Sequence, residues 1–135
     1  MSIEADIVAY LDTNTSLTAG TDLFQGPLPE LPNNAVSITH TGGEKGDYTM
    51  GPSLSGPGIE YGRFQMMVRR TARATAFSDA NTYYALLANL GPVTLTSGKI
   101  YQDVESLDGE PYNLGQDSQD MWRVVCNFRA AKQRG

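Results

Sequence analysis

The clearest change of hydrophobic period in the chain falls within Ile59–Gly91, and it predicts a strand that runs into a helix. Phe64, Met66 and Val68 alternate with Arg63, Gln65, Met67 and Arg69, the period-two pattern of a strand with one buried face. Across Ala76–Leu90 the period lengthens. Phe77, Ala80, Tyr84, Leu87 and Ala88 recur at three- and four-residue spacing, with Tyr83, Leu86 and Leu90 widening the stripe. Thr75 or Ser78 is placed to cap the start of this helix, and Gly91-Pro92 to stop it. One strand face and one helix face are thereby committed to a common core.

The other segments arrange themselves around that pair. Ile3, Ile7, Val8 and Leu11 share a face of an N-terminal helix, with Glu4 and Asp6 suited to its positive end. Asn14-Thr15-Ser16 stops it; the triplet fits a glycosylation acceptor, but without a secretion signal it reads as a helix end. Gly20–Asn34 holds Pro27, Pro29 and Pro32 and is expected to be an extended connector, pinned by Leu23, Phe24 and Leu28. Ala35–Thr41 is a strand with Val36, Ile38 and His40 on one face. Gly42–Gly58, rich in glycine, is expected to be irregular: the projecting tip of a hairpin if its flanking strands pair antiparallel. Val93–Thr96 and Lys99–Leu107 flank Ser97-Gly98 as a second hairpin. Asp108–Asp120 reads as a second long loop. In Met121–Ala130, Trp122, Val124, Cys126 and Phe128 face inward and Arg123, Asn127 and Arg129 outward, with Val125 the exception. Lys132 and Arg134 form a short basic tail. The order α-β-β-α-β-β predicts one α+β domain over residues 1–135, mainly an antiparallel β-sheet with helices packed on one face.

Composition narrows the function more than the fold. A length of 135 residues suffices for one core without staples. Net charge of −5 argues against a general nucleic-acid binder, which needs a basic footprint to release counterions. Single Cys126 excludes an internal disulfide. No apolar run reaches the length of a membrane span, and Ser2–Asp6 lacks the basic start of a signal peptide, so the protein is expected to act where it is made.

Candidate chemistry is thin. His40, the lone histidine, sits on the Val36–Ile38 face as a packed or edge residue, and no Gly-x-Ser-x-Gly elbow accompanies it. One Cys and one His cannot make a closed zinc site. Gly42-Gly43-Glu44-Lys45-Gly46 lacks the ending of a phosphate loop. Asp103 and Glu105 share a strand face and are the least poor acid–base pair, although a solvated face accounts for them better. Asp108, Glu110, Asp117 and Asp120 miss the Ca²⁺-loop spacing, leaving at most a weak ion site. Cys126 is structural. Arg63, Arg69, Arg70 and Arg73 form a basic cluster, suited to nucleic acid or, better given the overall acidity, to the acidic face of a neighbouring subunit. No cofactor or metal is expected.

The order of these segments resembles a phage family of minor capsid or tail terminator proteins, including the lambda-like terminators of the siphovirus neck. The resemblance is carried by Thr21–Pro29 followed by Pro32–Val36, and by the strand Phe64–Arg70 with its tyrosine- and alanine-rich helix. The hairpin Val93–Val104, and Leu114-Gly115-Gln116-Asp117 leading into Val124–Arg129, complete it. It covers nearly the whole chain, through order and spacing and not through any one motif. It implies a structural protein of the virion neck, assembled in the host cytoplasm: a homohexameric ring that ends tail-tube polymerisation and joins the tail to the head connector. Implied partners are copies of the chain itself, the tail-tube protein and a head-completion protein, with genome DNA passing through the ring without specific recognition. Tyr48, Met50 and Leu54 in the hairpin tip, with Arg63, Arg69, Arg123 and Arg129, are the candidate interface residues. A head-completion role in the same neck, a small cytosolic enzyme and a peptide-binding adaptor using a sheet edge stand as alternatives.

Overall fold

The computed structural model describes residues 3–30, 33–48, 58–88, 90–95, 98, 100–117 and 119–133. Among these residues two helices, α1 (Ile3–Asn14) and α2 (Arg73–Ala88), accompany seven strands. These are β1 (Leu23–Gln25), β2 (Ala35–Tyr48), β3 (Gly58–Arg70), β4 (Val93–Thr94), β5 (Ile100–Ser106), β6 (Tyr112–Gln116) and β7 (Trp122–Gln133). The strands form one sheet in the order β1-β2-β3-β7-β5-β4, antiparallel except for the parallel pairing of β1 with β2. The class is α+β, as the sequence predicts.

The two strands with the plainest alternation, β3 and β7, make the centre. They pair over their whole lengths, from Ile59 opposite Gln133 to Arg70 opposite Trp122. Their even-numbered residues Phe64, Met66, Val68, Val124, Cys126, Phe128 and Ala130 are buried in one continuous core. Both helices close that same face: α1 lies over β1, β2 and β3, and α2 over β3, β7 and β5. Phe64 and Phe128, directly opposite across the strands, stack with centroids 5.1 Å apart, and Tyr84 of α2 approaches Phe128 at 6.0 Å. Gly62 leaves room for the start of α1, since a Cβ there would stand 3.0 Å from Ile3 Cδ1. Within this core Asp6 is fully buried, and it accepts a hydrogen bond of 2.8 Å from the equally buried Tyr101 hydroxyl.

Several expectations need correction. First, β2 continues to Tyr48, through glycine-rich sequence expected to be irregular. β3 supplies a ready template, and the ladder survives by shifting register between His40 and Gly42 and again between Glu44 and Asp47. Gly42 takes φ 131°, open to glycine and strained for other residues. Residues 49–57 lie outside those described. Second, Asp108–Asp120 contains β6. β3 fills one side of β7, so β5 and β6 lie end to end along the other. Where they part, the Asp108 carboxylate takes over as acceptor, receiving the Asn127 backbone N–H at 2.8 Å and its side-chain amide at 3.1 Å. Third, the α-β-β-α-β-β order holds four strands against seven: it has room for only two of β4, β5 and β7, and it lacks β1 and β6 altogether. Both are short edge strands without an alternating buried face. Fourth, α2 begins at Arg73, with the Ala72 carbonyl accepting from Ala76, so Thr75 and Ser78 lie inside the helix and not at its cap. Lys132 belongs to β7, not to a tail.

Trp122 faces the helices as expected but is half-buried, and the Arg73 guanidinium lies within cation–π reach of its ring (5.9 Å) and of Phe77 (5.3 Å). Full burial would put the cost of Trp122→Ala at about 3–5 kcal/mol; half-burial lowers the expectation to about 2–3 kcal/mol, measured by urea denaturation.

Candidate functional site

With both helices on one face, the opposite face of the central strands is left without a helical cover. Along β3 it presents Tyr61, Arg63, Gln65, Met67 and Arg69, and along β7 Arg123, Val125, Asn127 and Arg129. The register sets these residues directly across from one another: Arg63 opposite Arg129, Gln65 opposite Asn127, Met67 opposite Val125, Arg69 opposite Arg123. Four of the chain's ten basic residues thus stand as two like-charged cross-strand pairs, an arrangement that costs stability unless carboxylates or carbonyls offset it.

The offsets differ at the two ends. At one end, Glu105 on β5 pairs with Arg129 at 3.3 Å, and the Arg129 guanidinium lies 5.0 Å from the centre of the Tyr61 ring. Arg63 beside them is exposed. At the other end, Arg69 is only 5% exposed. Its Nε donates to the Asn33 carbonyl (3.2 Å) and its Nη2 to that of Glu30 (3.4 Å). The expectation of a projecting Arg69 is therefore not met: it lies on the face foreseen, but the connector before β2 covers it. Arg123 is half-buried, and its Nε has no hydrogen-bond partner among the described residues. Asp117 completes this end. The Met121 amide above all, then that of Gln119 and the charges of Arg123 and Arg69, hold its carboxyl below the ordinary 3.8, against some desolvation. What this turn contributes is complete above the ordinary aspartate value and is lost as pH falls through the lower folded one. Between the ends, Gln65 donates to Asn127 Oδ1 (3.1 Å), and the Asn127 amide donates to the Tyr112 hydroxyl (3.2 Å).

Of the basic cluster predicted in β3 and α2, the structure keeps only Arg63 and Arg69 on this face. Arg70 turns to the helix side, 8% exposed, and pairs with Asp79 at 2.8 Å beneath Tyr83. Arg73 goes to Phe77 and Trp122. Tyr48 ends β2, its backbone opposite Gly58, while Met50 and Leu54 lie outside the described residues.

The catalytic alternatives gain nothing from the geometry. Asp103 and Glu105 are both exposed, with Glu105 engaged by Arg129. His40 is exposed on β2 beyond the last residue that β1 pairs, Ile38. Cys126 is buried beside Ser106 Oγ (3.6 Å), and burial pushes its thiol up, away from reactivity. Among the described residues no cluster of three or more His, Cys, Asp or Glu is placed to hold a metal. Among the described residues no helix is long and apolar enough to cross a membrane. A cleft of about 240 Å³ between α1 and β1, lined by Val8, Ala19, Gly20, Leu23, Phe24 and Gln25, offers apolar contact without a titratable group. The exposed Arg63 and the half-buried side chains around it make the helix-free face suited to contact with another surface.

Among curated proteins none matches the sequence. In fold, the chain is similar to a chain of a solved structure described as the virion of a native gene transfer agent particle. The TM-score is 0.59 at 18% identity, covering 98% of this chain and 96% of that one. The family model for bacteriophage tail terminator proteins matches residues 10–134. The chain belongs to the bacteriophage tail terminator family and is a structural protein of the virion, located in its tail or neck.

Proposed function

We propose that the protein assembles as a homohexameric ring on the last ring of a phage tail tube, ends its polymerisation, and offers its other side to the head-completion proteins. The observation that carries this reading is the family match over residues 10–134, which leaves almost none of the chain for another function. The helix-free face supports it, because its exposed end at Arg63, with Arg129 across the strands, carries charge suited to a partner surface. On this reading Arg63, Arg123 and Arg129 serve contacts between subunits. Tyr48, Met50 and Leu54 in the hairpin between β2 and β3 serve contacts with the tube or a neighbouring copy.

The purified protein should give closed particles of about sixfold mass by light scattering, visible as rings in negative stain. Withholding it during tail assembly should give overlong tubes. A protein that stays monomeric at every concentration tested, and whose omission leaves tube length unchanged, would overturn the proposal.

A further inference from the structure

One row of paired residues crosses the sheet from edge to edge. Leu23 of β1 lies opposite Val36 of β2, Val36 opposite Val68 of β3, Val68 opposite Val124 of β7, and Val124 opposite Asn113 of β6. Its two ends differ. At the β1 end is the cleft of about 240 Å³ against α1, lined by buried Val8 and Leu23 and by exposed Ala19, Gly20 and Gln25. At the β6 end, Leu114 follows Asn113 at a register shift and is 43% exposed, with Tyr112 before it at 40%. With Leu107 these are the large hydrophobic side chains most open to solvent among the described residues. β6 pairs only with β7, and β1 with β2 and, through a single bridge, with Ala19. Among the described residues no further strand covers either edge.

We infer that copies of this chain meet edge to edge, Leu114 of one copy entering the cleft between α1 and β1 of the next. This rests on the ring-forming reading above, names surfaces that close the ring, and adds to any contact the helix-free face makes. Two copies set side by side along the row, facing the same way, bring the β6 edge of one to the β1 edge of the other without turning either over. The cleft has room for a leucine side chain. Because the two surfaces differ, the contact is heterologous and repeats until it closes. Joining β6 to β6 about a twofold axis would instead stop at a dimer and leave each cleft empty.

Charge sets the conditions under which this contact holds. Neither Met1–Asn34 nor Ile100–Met121 contains lysine or arginine, so no ion pair forms between the two edges. The strands that meet, Leu23–Gln25 and Tyr112–Gln116, carry no charged residue. The acids next to them are held by their own backbone. Asp22 accepts the Thr18 amide at 2.6 Å, and Asp117 accepts those of Gln119 and Met121 at 2.9 and 3.0 Å. What remains is apolar burial opposed by exposed acids at the margins, Asp12 and Glu30 on one side, Glu110 and Asp120 on the other. Salt screens that repulsion and leaves the apolar part intact, so assembly should strengthen as salt rises. A contact driven by complementary charge would weaken.

The test is thiol cross-linking in the full-length protein, where the native Cys126 is fully buried and stays out of the reaction. Ala19→Cys and Leu114→Cys change exposed side chains and should keep the circular dichroism and melting temperature of the parent. Mixed and treated with a short bismaleimide, the two should give a covalent heterodimer, and the double variant a ladder of about six chains. Without cross-linker, Leu114→Asp should raise the concentration at which light scattering shows assembly about tenfold or more, since it would set a carboxylate in an apolar cleft. Wild-type protein that stays monomeric at every salt concentration defeats the ring reading, and this inference with it. Rings that give no link between positions 19 and 114 overturn the edge contact alone. So does Leu114→Asp assembling at the wild-type concentration, or assembly that weakens as salt rises. Leu114→Cys linking only to itself, with no ladder from the double variant, overturns it in favour of the twofold dimer.

Discussion

Phe128→Ala is expected to remove about 3–5 kcal/mol of stability, the largest loss available from one core truncation here. Phe128 is fully buried and touches each part of the core that matters: its ring stacks on Phe64 of β3 and meets Tyr84 of α2. Its strand is the one on which β3, β5 and β6 all pair. Truncation leaves a cavity between two aromatic rings that cannot close without moving α2 toward the sheet. A domain of this size holds in total about 5–15 kcal/mol, so the variant should sit near its unfolding midpoint at warm growth temperatures. Phe128→Leu, which keeps most of the volume, should cost under about 1.5 kcal/mol. Urea denaturation with an unchanged slope checks both. A loss under about 1 kcal/mol for the alanine variant would mean that the stack contributes little and that α2 is held elsewhere.

The aromatic stack was within reach of the sequence because alternation survives in the two strands that carry it. Phe64, Met66 and Val68, and Val124, Cys126 and Phe128, keep period two where one face is packed and the other is not, so strand, phase and face are legible together. Where burial does not alternate, the signal vanishes. In β6 nearly every residue is exposed, and β1 is too short for a period to show. Residues 42–48 look like loop by composition, but β3 imposes a ladder that local propensity would not form. The candidate site was half legible. That Arg63, Arg69, Arg123 and Arg129 share a face follows from counting along each strand. That they form two facing pairs follows only from the register between β3 and β7, strands more than fifty residues apart in sequence. Whether each arginine is open or covered depends on segments elsewhere in the chain: Glu30 and Asn33 for Arg69, Glu105 and Tyr61 for Arg129. Exposure of a charged side chain is set by what crosses over it, and a single strand does not encode that.

Arg69 is where this distinction has its largest measurable consequence. By its strand phase alone, a charge reversal there would leave stability within about 1 kcal/mol, the usual tolerance of an open surface position. Its environment predicts otherwise. The guanidinium is 5% exposed and gives hydrogen bonds to the Asn33 and Glu30 carbonyls, and its positive charge helps keep the Asp117 carboxyl ionised. In Arg69→Glu a carboxylate would face two carbonyl oxygens that it cannot bond, close to the charge of Asp117. The Arg123 guanidinium across the ladder would gain a partner, which offsets part of the loss. The net expectation is about 3–5 kcal/mol, the range for leaving a buried charge uncompensated. Arg69→Lys keeps the charge but loses the planar fork and should cost less, about 1–2 kcal/mol. Arg63→Glu, on the same strand face but exposed, should stay within about 1 kcal/mol and act on assembly instead. Denaturation curves of the three variants side by side decide the matter. Equal stability for Arg69→Glu and Arg63→Glu would mean that the connector before β2 does not cover Arg69 in solution, and that both arginines belong to the open face.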